Sequence, residues 1–179
     1  MFKKKNKYNI AIVGATGIVG ESLLDILVSR SFPFDNVYAI ASERSAGTSV
    51  KLGNDLLEVL DIESFDFRNI DFAFFSAGSS VSKKYAPKAA SQETIVIDNT
   101  SEFRYQDDIP LIVPEVNPED VKLYKKKNII ANPNCSTIQM LVALKPIHDL
   151  FKIKRITVST YQAVSGSGKK GINELIEQT

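Results

Sequence analysis

"YNIAIVGATGIVGESLLDILVSR", residues 8–30, decides the fold. Tyr8 to Val13 is an apolar run long enough for a buried strand. Gly14, Gly17 and Gly20 follow, and Leu23, Leu24, Ile26, Leu27 and Val28 then mark a largely buried helix. Strand, tight turn, helix is the opening of a dinucleotide-binding unit. The spacing is G-x-x-G-x-x-G instead of the commoner G-x-G-x-x-G, but the physics is shared. Glycines permit a tight turn and close backbone approach, and a helix N-terminus offers free N–H groups to a pyrophosphate. Alone the pattern is weak. Its place between a buried strand and a helix gives it weight against a merely structural glycine turn.

Working outward, "NVYAIAS" (36–42) reads as a second strand, reached after a crossover of the length a βαβ unit needs. "LLEVLDI" (56–62) and "IDFAFFSAG" (70–78) read as further strands, the latter ending in small residues. "VSKKYAPKAAS" (81–91) is a helix, "TIVIDNTS" (94–101) a strand running into a polar turn, and "NIIANPNC" (128–135) a short strand stopped by Pro133. Strands that alternate with helices and are apolar along their whole length predict an α/β fold: a Rossmann-type, doubly wound parallel sheet covered on both faces. From Cys135 the texture changes. "CSTIQMLVALKPIHDLF" is a long apolar helix that Pro146 kinks or divides. "IKRITVSTYQAVSG" (153–166) alternates like a strand open to solvent on one face, and "SGSGKKGINELIEQT" (165–179) begins another helix with no capping signal at its end. The expected organisation is a dinucleotide-binding domain over 1–133, and over 134–179 the start of a truncated α+β substrate and dimerisation domain.

Composition narrows the function classes. Apolar residues at 44% and charged residues at 24% are ordinary for a globular chain, and Lys+Arg 22 against Asp+Glu 21 leaves no basic field for nucleic acid. The Lys3-Lys4-Lys5 cluster reads as a solvated end. No run approaches the ~20 apolar residues of a membrane span, and no signal-peptide core precedes Tyr8. A single cysteine excludes an internal disulfide framework and suits a reducing cytoplasm. A cytoplasmic protein without membrane or nucleic-acid partners is expected, and no metal site.

That cysteine, Cys135, follows Asn134, a favoured N-cap residue, and so falls in the first turn of its helix. There the helix dipole and free N–H groups favour a thiolate, and the same N–H groups could hold an oxyanion. Packing against an apolar helix is the competing reading. The one histidine, His148, lies thirteen residues on, or roughly 20 Å along a helix, far beyond hydrogen-bond reach of about 3 Å. It reads as a helix-end residue meeting the C-terminal dipole. At the end of the second strand, the position where NAD sites carry an acidic residue is Ile40, and "ASERSAG" (41–47) follows. Arg44 between Ser42 and Ser45 suits a 2′-phosphate, which favours NADP, while Glu43 could instead face a ribose.

Gly14–Gly20, "ASERSAG", "FFSAG" (74–78), "DNTSEFR" (98–104), "PEVN" (114–117), "NPNCSTIQ" (132–139) and "STYQAVSGSGKKG" (159–171) stand in the order found in aspartate-β-semialdehyde dehydrogenases, which the chain resembles along essentially all 179 residues. The cysteine segment and "YQAVSG" separate it from N-acetyl-glutamyl-phosphate reductase, with its P-G-C-Y context, and from glyceraldehyde-3-phosphate dehydrogenase, with S-C-T-T-N. The resemblance implies NADP-dependent interconversion of 4-phospho-L-aspartate and L-aspartate 4-semialdehyde, a step toward lysine, threonine, methionine and isoleucine. It implies Cys135 as the acyl-thioester nucleophile, with Arg104, Gln162 and Asn134 at the substrate. Gly14, Thr16, Gly17, Ile18, Val19, Gly20, Arg44, Ser45, Ser76, Gly78, Ser165 and Gly166 would line the NADP site. A turn salt bridge of Arg104 with Glu102 or Asp98, and a surface position for Gln162, are the plainer readings of those two residues.

In this family the base histidine, the arginine for the substrate carboxylate, a phosphate-binding lysine and the helix completing the cofactor domain lie further along. Members run to about twice this length and form homodimers or homotetramers. The chain is therefore expected to be an N-terminal portion with little turnover of its own. Another acyl-phosphate reductase, a non-catalytic nucleotide-binding module, and a misfolding fragment with an unpaired sheet edge are the alternatives.

Overall fold

Tyr8–Val13 (β1) is the middle of a seven-stranded sheet in the computed structural model, which describes residues 4–179. The other strands are β2 (Phe34–Ala41), β3 (Ser49–Leu52), β4 (Asp55–Asp61), β5 (Phe72–Phe75), β6 (Ile95–Asp98) and β7 (Ile129–Ala131). The helices are α1 (Ile18–Ser29), α2 (Ser79–Ser91), α3 (Cys135–Phe151) and α4 (Gly168–Gln178). The sheet order is β3-β4-β2-β1-β5-β6-β7, and every pairing except β3 with β4 is parallel. Setting β3 aside leaves the 3-2-1-4-5-6 order of dinucleotide-binding folds, whose strand order reverses at β1 and β5. Ligand crevices open at the carboxyl ends of such a pair, and Gly14 is the residue that leaves β1.

Alternation along β1 sends side chains to opposite faces, and both faces are covered. Ala11 and Val13 join Ile40, Phe67, Phe75, Val96 and the α2 residues Tyr85, Ala86 and Ala89 in one core. Ile10 and Ile12 join Leu24 and Leu27 of α1, with Ala39 and Val59, in the other. Buried residues end at Pro133; α3, α4 and the segment between them have none.

Four features differ from the sequence reading. An antiparallel hairpin, β3–β4, forms the sheet edge where only a strand over 56–62 was expected; Leu52 pairs Asp55 across Gly53-Asn54, with Gly53 at φ 63°. A glycine at the first central position of a two-residue loop is hairpin chemistry. The strand expected over 153–166 is absent: Ile153 to Ala163 has no regular structure, and Val164–Ser167 is a 3-10 turn. An alternating pattern makes a strand only beside a partner that takes its N–H and C=O groups, and none of the described residues pairs with it. Pro146 does not divide α3, which continues to Phe151; Val142, whose carbonyl loses its partner at Pro146, is exposed enough for water to replace it. Pro118–Lys126 winds into 3-10 turns that no periodicity announced.

In the terminal lysine cluster, Lys3 lies outside the described residues. Lys4 and Lys5 are exposed, though Lys5 Nζ also reaches Asp71 Oδ1 at 2.5 Å. Among the described residues no helix is long and apolar enough to cross a membrane, and no group of three or more His, Cys, Asp or Glu is placed to hold a metal.

The glycine turn and α1 meet closely at Gly20. A Cβ there would strike the Gly14 carbonyl oxygen and lie 2.6 Å from Ala15 Cα. Gly20→Ala gains helix propensity of up to about 1 kcal/mol but forces two backbones apart. A net loss of about 1–3 kcal/mol is expected, read as a lower urea midpoint at unchanged m-value.

Candidate active site

The glycine turn is built for close approach. Gly14 has φ 92°, and a Cβ on it would sit 3.0 Å from Ser76 C, Ala77 N and Ser76 Oγ. The turn is stapled to the sheet by Gly14 N–H donating to Ile40 O (2.8 Å) and closed by Gly17 N–H donating to Gly14 O (3.0 Å). Gly17, the N-cap of α1, brings no side-chain cap, so the first-turn amides of α1 stay available. Available amides, the helix dipole and a cradle that side chains cannot fill fit a dinucleotide pyrophosphate.

Two cavities adjoin here, sharing Gly17 and Ser76. One, about 420 Å³, is lined by Gly14, Thr16, Ala41, Ser42 and Ser45 at the ends of β1 and β2. The other, about 480 Å³, runs past Ile18 and Val19 to Asn99, Arg104, Asn134 and Cys135, and is walled by Ser165 to Lys169. Residues scattered from 14 to 169 thus share one crevice.

Asn134 is the N-cap of α3. Its Oδ1 accepts from the N–H groups of Ser136 (3.0 Å) and Thr137 (3.3 Å), which leaves Cys135 exposed in the first turn. This narrows the expectation that the helix amides receive an oxyanion: the cap occupies two of them and leaves the Cys135 N–H. A different donor approaches as well, since Gln162 Nε2 lies 3.7 Å from Cys135 Sγ. Gly166 makes that approach possible, because any Cβ at 166 would collide with the Gln162 amide.

Arg104 is half-buried and held by backbone alone. Its Nε donates to Asn132 O (3.0 Å) and its Nη2 to Asn99 O (3.1 Å), and among the described residues it forms no ion pair. The remaining N–H groups of its fork are left for an anion. The turn that carries it is fixed from below by Asp98. That buried carboxylate accepts from Ser82 Oγ (2.5 Å) and Thr100 Oγ1 (2.7 Å). Burial pushes the Asp98 carboxyl above its ordinary value, opposed by these hydroxyls and by the charge of Arg104.

Of the residues proposed from sequence, Gly14, Thr16, Gly17, Ile18, Val19, Ser45, Ser76, Arg104, Asn134, Cys135, Ser165 and Gly166 line this crevice, and Gln162 reaches it through Cys135. Gly20, Arg44 and Gly78 line neither cavity. Gly20 serves helix packing, Arg44 is exposed in the 3-10 turn after β2, and Gly78 leads into α2 at φ 95°. His148 lies in the last turn of α3, beside an apolar groove with Leu144 and Ile153, away from Cys135. Sequence reasoning passed over Asn99, Asn132 and Lys169. Lys169 had a signal: a lysine in the first turn of a helix opposes the dipole and asks for a reason.

Comparison with known proteins bears on this crevice. Residues 9–124 match the model of the semialdehyde dehydrogenase NAD-binding domain, and 144–179 that of the semialdehyde dehydrogenase dimerisation domain. An aspartate-semialdehyde dehydrogenase of Legionella pneumophila is 57% identical over 95% of this chain and 49% of its own length. The crystal structure of aspartate semialdehyde dehydrogenase II from Vibrio cholerae complexed with ASA superposes with a TM-score of 0.95 at 54% identity, covering 98% of this chain and 52% of that one. The Candida albicans enzyme with NADP gives 0.69 at 27% identity over 82% of this chain and 48% of that one. The chain spans about half the length of the curated relatives it matches.

Two outcomes are expected. Asn134→Ala removes the α3 cap and lowers stability by about 1 kcal/mol, measurable by urea unfolding. For Asp98, folding raises the carboxyl's affinity for a proton, so its contribution to stability is full at acid pH and is lost as pH rises through the raised value. The stability of the wild type relative to Asp98→Asn therefore improves as pH falls from neutral toward the ordinary aspartate range. A parallel pair of melting-temperature profiles would contradict the burial argument.

Proposed function

The chain belongs to the semialdehyde dehydrogenase family, and from that premise we propose that it is the cofactor-binding, nucleophile-bearing portion of an NADP-dependent aspartate-semialdehyde dehydrogenase. In this reading residues 1–133 form the nucleotide domain, and 134–179 open the catalytic and dimerisation domain of a cytoplasmic homodimer or homotetramer. The family is one of NAD(P)-binding reductases; the substrate and the preference for NADP belong to the proposal. The observation that carries it is the Gln162 amide on Cys135 Sγ, in a crevice that also holds the glycine turn and an anion-ready Arg104.

In the oxidative direction the Cys135 thiolate adds to the aldehyde carbon of L-aspartate 4-semialdehyde, giving a thiohemiacetal oxyanion. Loss of hydride from that carbon leaves the Cys135 thioester; NADP held along the glycine turn would be the acceptor, and NADPH the donor in the reverse direction. Gln162 Nε2 and the Cys135 N–H, which has no partner among the described residues, are the donors at hand for the oxyanion. Asn134 fixes the turn that presents the sulfur. Arg104 holds inorganic phosphate, which attacks the thioester carbonyl and releases 4-phospho-L-aspartate and the thiolate. Ser165 and Gly166 would hold the cofactor from the 164–168 turn, and Ser45, with Arg44 reaching in from the exposed turn beside that cavity, would take the 2′-phosphate. His148 supplies no proton transfer. The 179 residues are expected to bind cofactor and expose a reactive thiol while turning over slowly.

Thiol chemistry tests this directly. Iodoacetamide at pH 6 should label Cys135, followed by mass spectrometry, and L-aspartate 4-semialdehyde should protect it better than N-acetyl-glutamate 5-semialdehyde. NADPH should bind more tightly than NADH, and Arg44→Ala should erase the difference. An inert thiol, or equal protection by both aldehydes, would contradict the reading.

A further inference from the structure

Segment 153–179 contributes Gln162 and the Ser165–Gly168 wall to the crevice, yet no residue of it is buried and residues 153–163 lack regular structure. Very little joins it to the rest of the fold. Among the described residues its hydrogen bonds to earlier parts of the chain are Gln162 Nε2 to Cys135 Sγ and two from a single ammonium, Lys169 Nζ. That ammonium donates to Thr16 O (2.7 Å) and to Glu21 Oε1 (2.6 Å). Thr16 belongs to the glycine turn and Glu21 to the first turn of α1. Lys169 thus ties the Ser165–Lys169 wall of the crevice to the glycine turn and the first turn of α1.

Its location has a cost. In the first turn of α4 a positive charge faces the positive end of the helix dipole, and the N-cap Ser167 brings no side-chain cap there. Lys170, next in the same turn, bears the same cost and makes no side-chain hydrogen bond or ion pair among the described residues. What distinguishes Lys169 is its two acceptors in the glycine turn and the first turn of α1.

We infer that Lys169 is a positioning residue: by bonding Thr16 O and Glu21, it holds the 164–168 turn over the glycine turn and so keeps the Gln162 amide on Cys135. The link runs through Gly166, whose missing side chain leaves the space that the Gln162 amide fills. This rests on the reading of the crevice as a dinucleotide site with a reactive cysteine. It adds that cofactor-side and sulfur-side geometry are coupled through one ammonium. Both ends of the pair are about half exposed, 53% and 51% by side chain, so the effect is modest and weakens with salt.

Four proteins decide it: wild type, Lys169→Met, Lys169→Arg and Lys170→Met, each checked for native circular dichroism. Two quantities are measured, the rate of Cys135 alkylation by iodoacetamide without nucleotide, and NADPH affinity by fluorescence titration. Cys135 is already exposed, so losing the tether removes a hydrogen-bond donor from the sulfur without improving access. Lys169→Met should slow alkylation and weaken NADPH binding, each about twofold to fivefold, in keeping with a partly exposed ion pair. Lys169→Arg should restore most of both, and Lys170→Met should match wild type. Wild-type alkylation in Lys169→Met, an equal loss in Lys170→Met, or no rescue by arginine would overturn the inference. If wild type binds no dinucleotide while Lys169→Met still alkylates slowly, the cofactor assignment fails and the tether stands.

Discussion

The contact on which everything else depends is backbone against backbone, where α1 packs on the glycine turn at Gly20. Helix and turn approach there too closely for any side chain at 20. That approach sets the direction of α1, and so points its uncapped first turn at the carboxyl ends of β1 and β5. It also fixes the bend at Gly14, whose φ of 92° is where glycine carries no penalty. Loosen that contact and the crevice loses its floor.

Of the helix N-termini at this crevice, those of α1 and α3 are treated oppositely. At α1 the N-cap is a glycine with nothing to offer the amides, which remain available for an anion. At α3 the N-cap is Asn134, whose side-chain Oδ1 takes the amides of Ser136 and Thr137. The first helix end is thus a binding surface. The second is a rigid mount for one sulfur atom, with only the Cys135 N–H left over and the Gln162 amide brought in from outside. The same economy holds for Arg104. Carbonyls at the ends of β6 and β7 orient its guanidinium without neutralising it, so its charge stays available in a way that a carboxylate partner would not allow.

Much of this was legible in the chain. The apolar runs, the glycine spacing and the alternation of strand and helix carried the parallel sheet, because strands buried on both faces must be apolar throughout. Asn134 as a cap and Cys135 in the first helical turn followed from side-chain chemistry alone. The misreadings share one cause. "IKRITVSTYQAVSG" has a strand's alternation, but strand formation is decided by a neighbour, and no periodicity contains one. Of the two outcomes expected at Pro146, kinking or dividing α3, division does not occur, because the cost depends on whether water can reach the orphaned carbonyl, which is a matter of exposure. The β3–β4 hairpin has its signal at Gly53-Asn54, a two-residue turn inside an otherwise parallel pattern.

The sequence by itself determined the order of elements, the position of the glycine turn at the end of the first strand, and the identity of the groups able to do chemistry. These are properties of residues and near neighbours: φ preference, capping and apolar period. Only the tertiary structure decided which of those groups meet. It brought Gln162 to Cys135 across 27 residues, and Lys169 to Thr16 across 153. It set Arg104 on two carbonyls instead of a carboxylate, and left Arg44 and Gly78 outside the cavities that their sequence context suggested they would line. The physical reason is that a hydrogen bond weakens steeply within an ångström of misplacement. Spacing along the chain does not fix distances at that scale until the sheet has been closed and its helices seated.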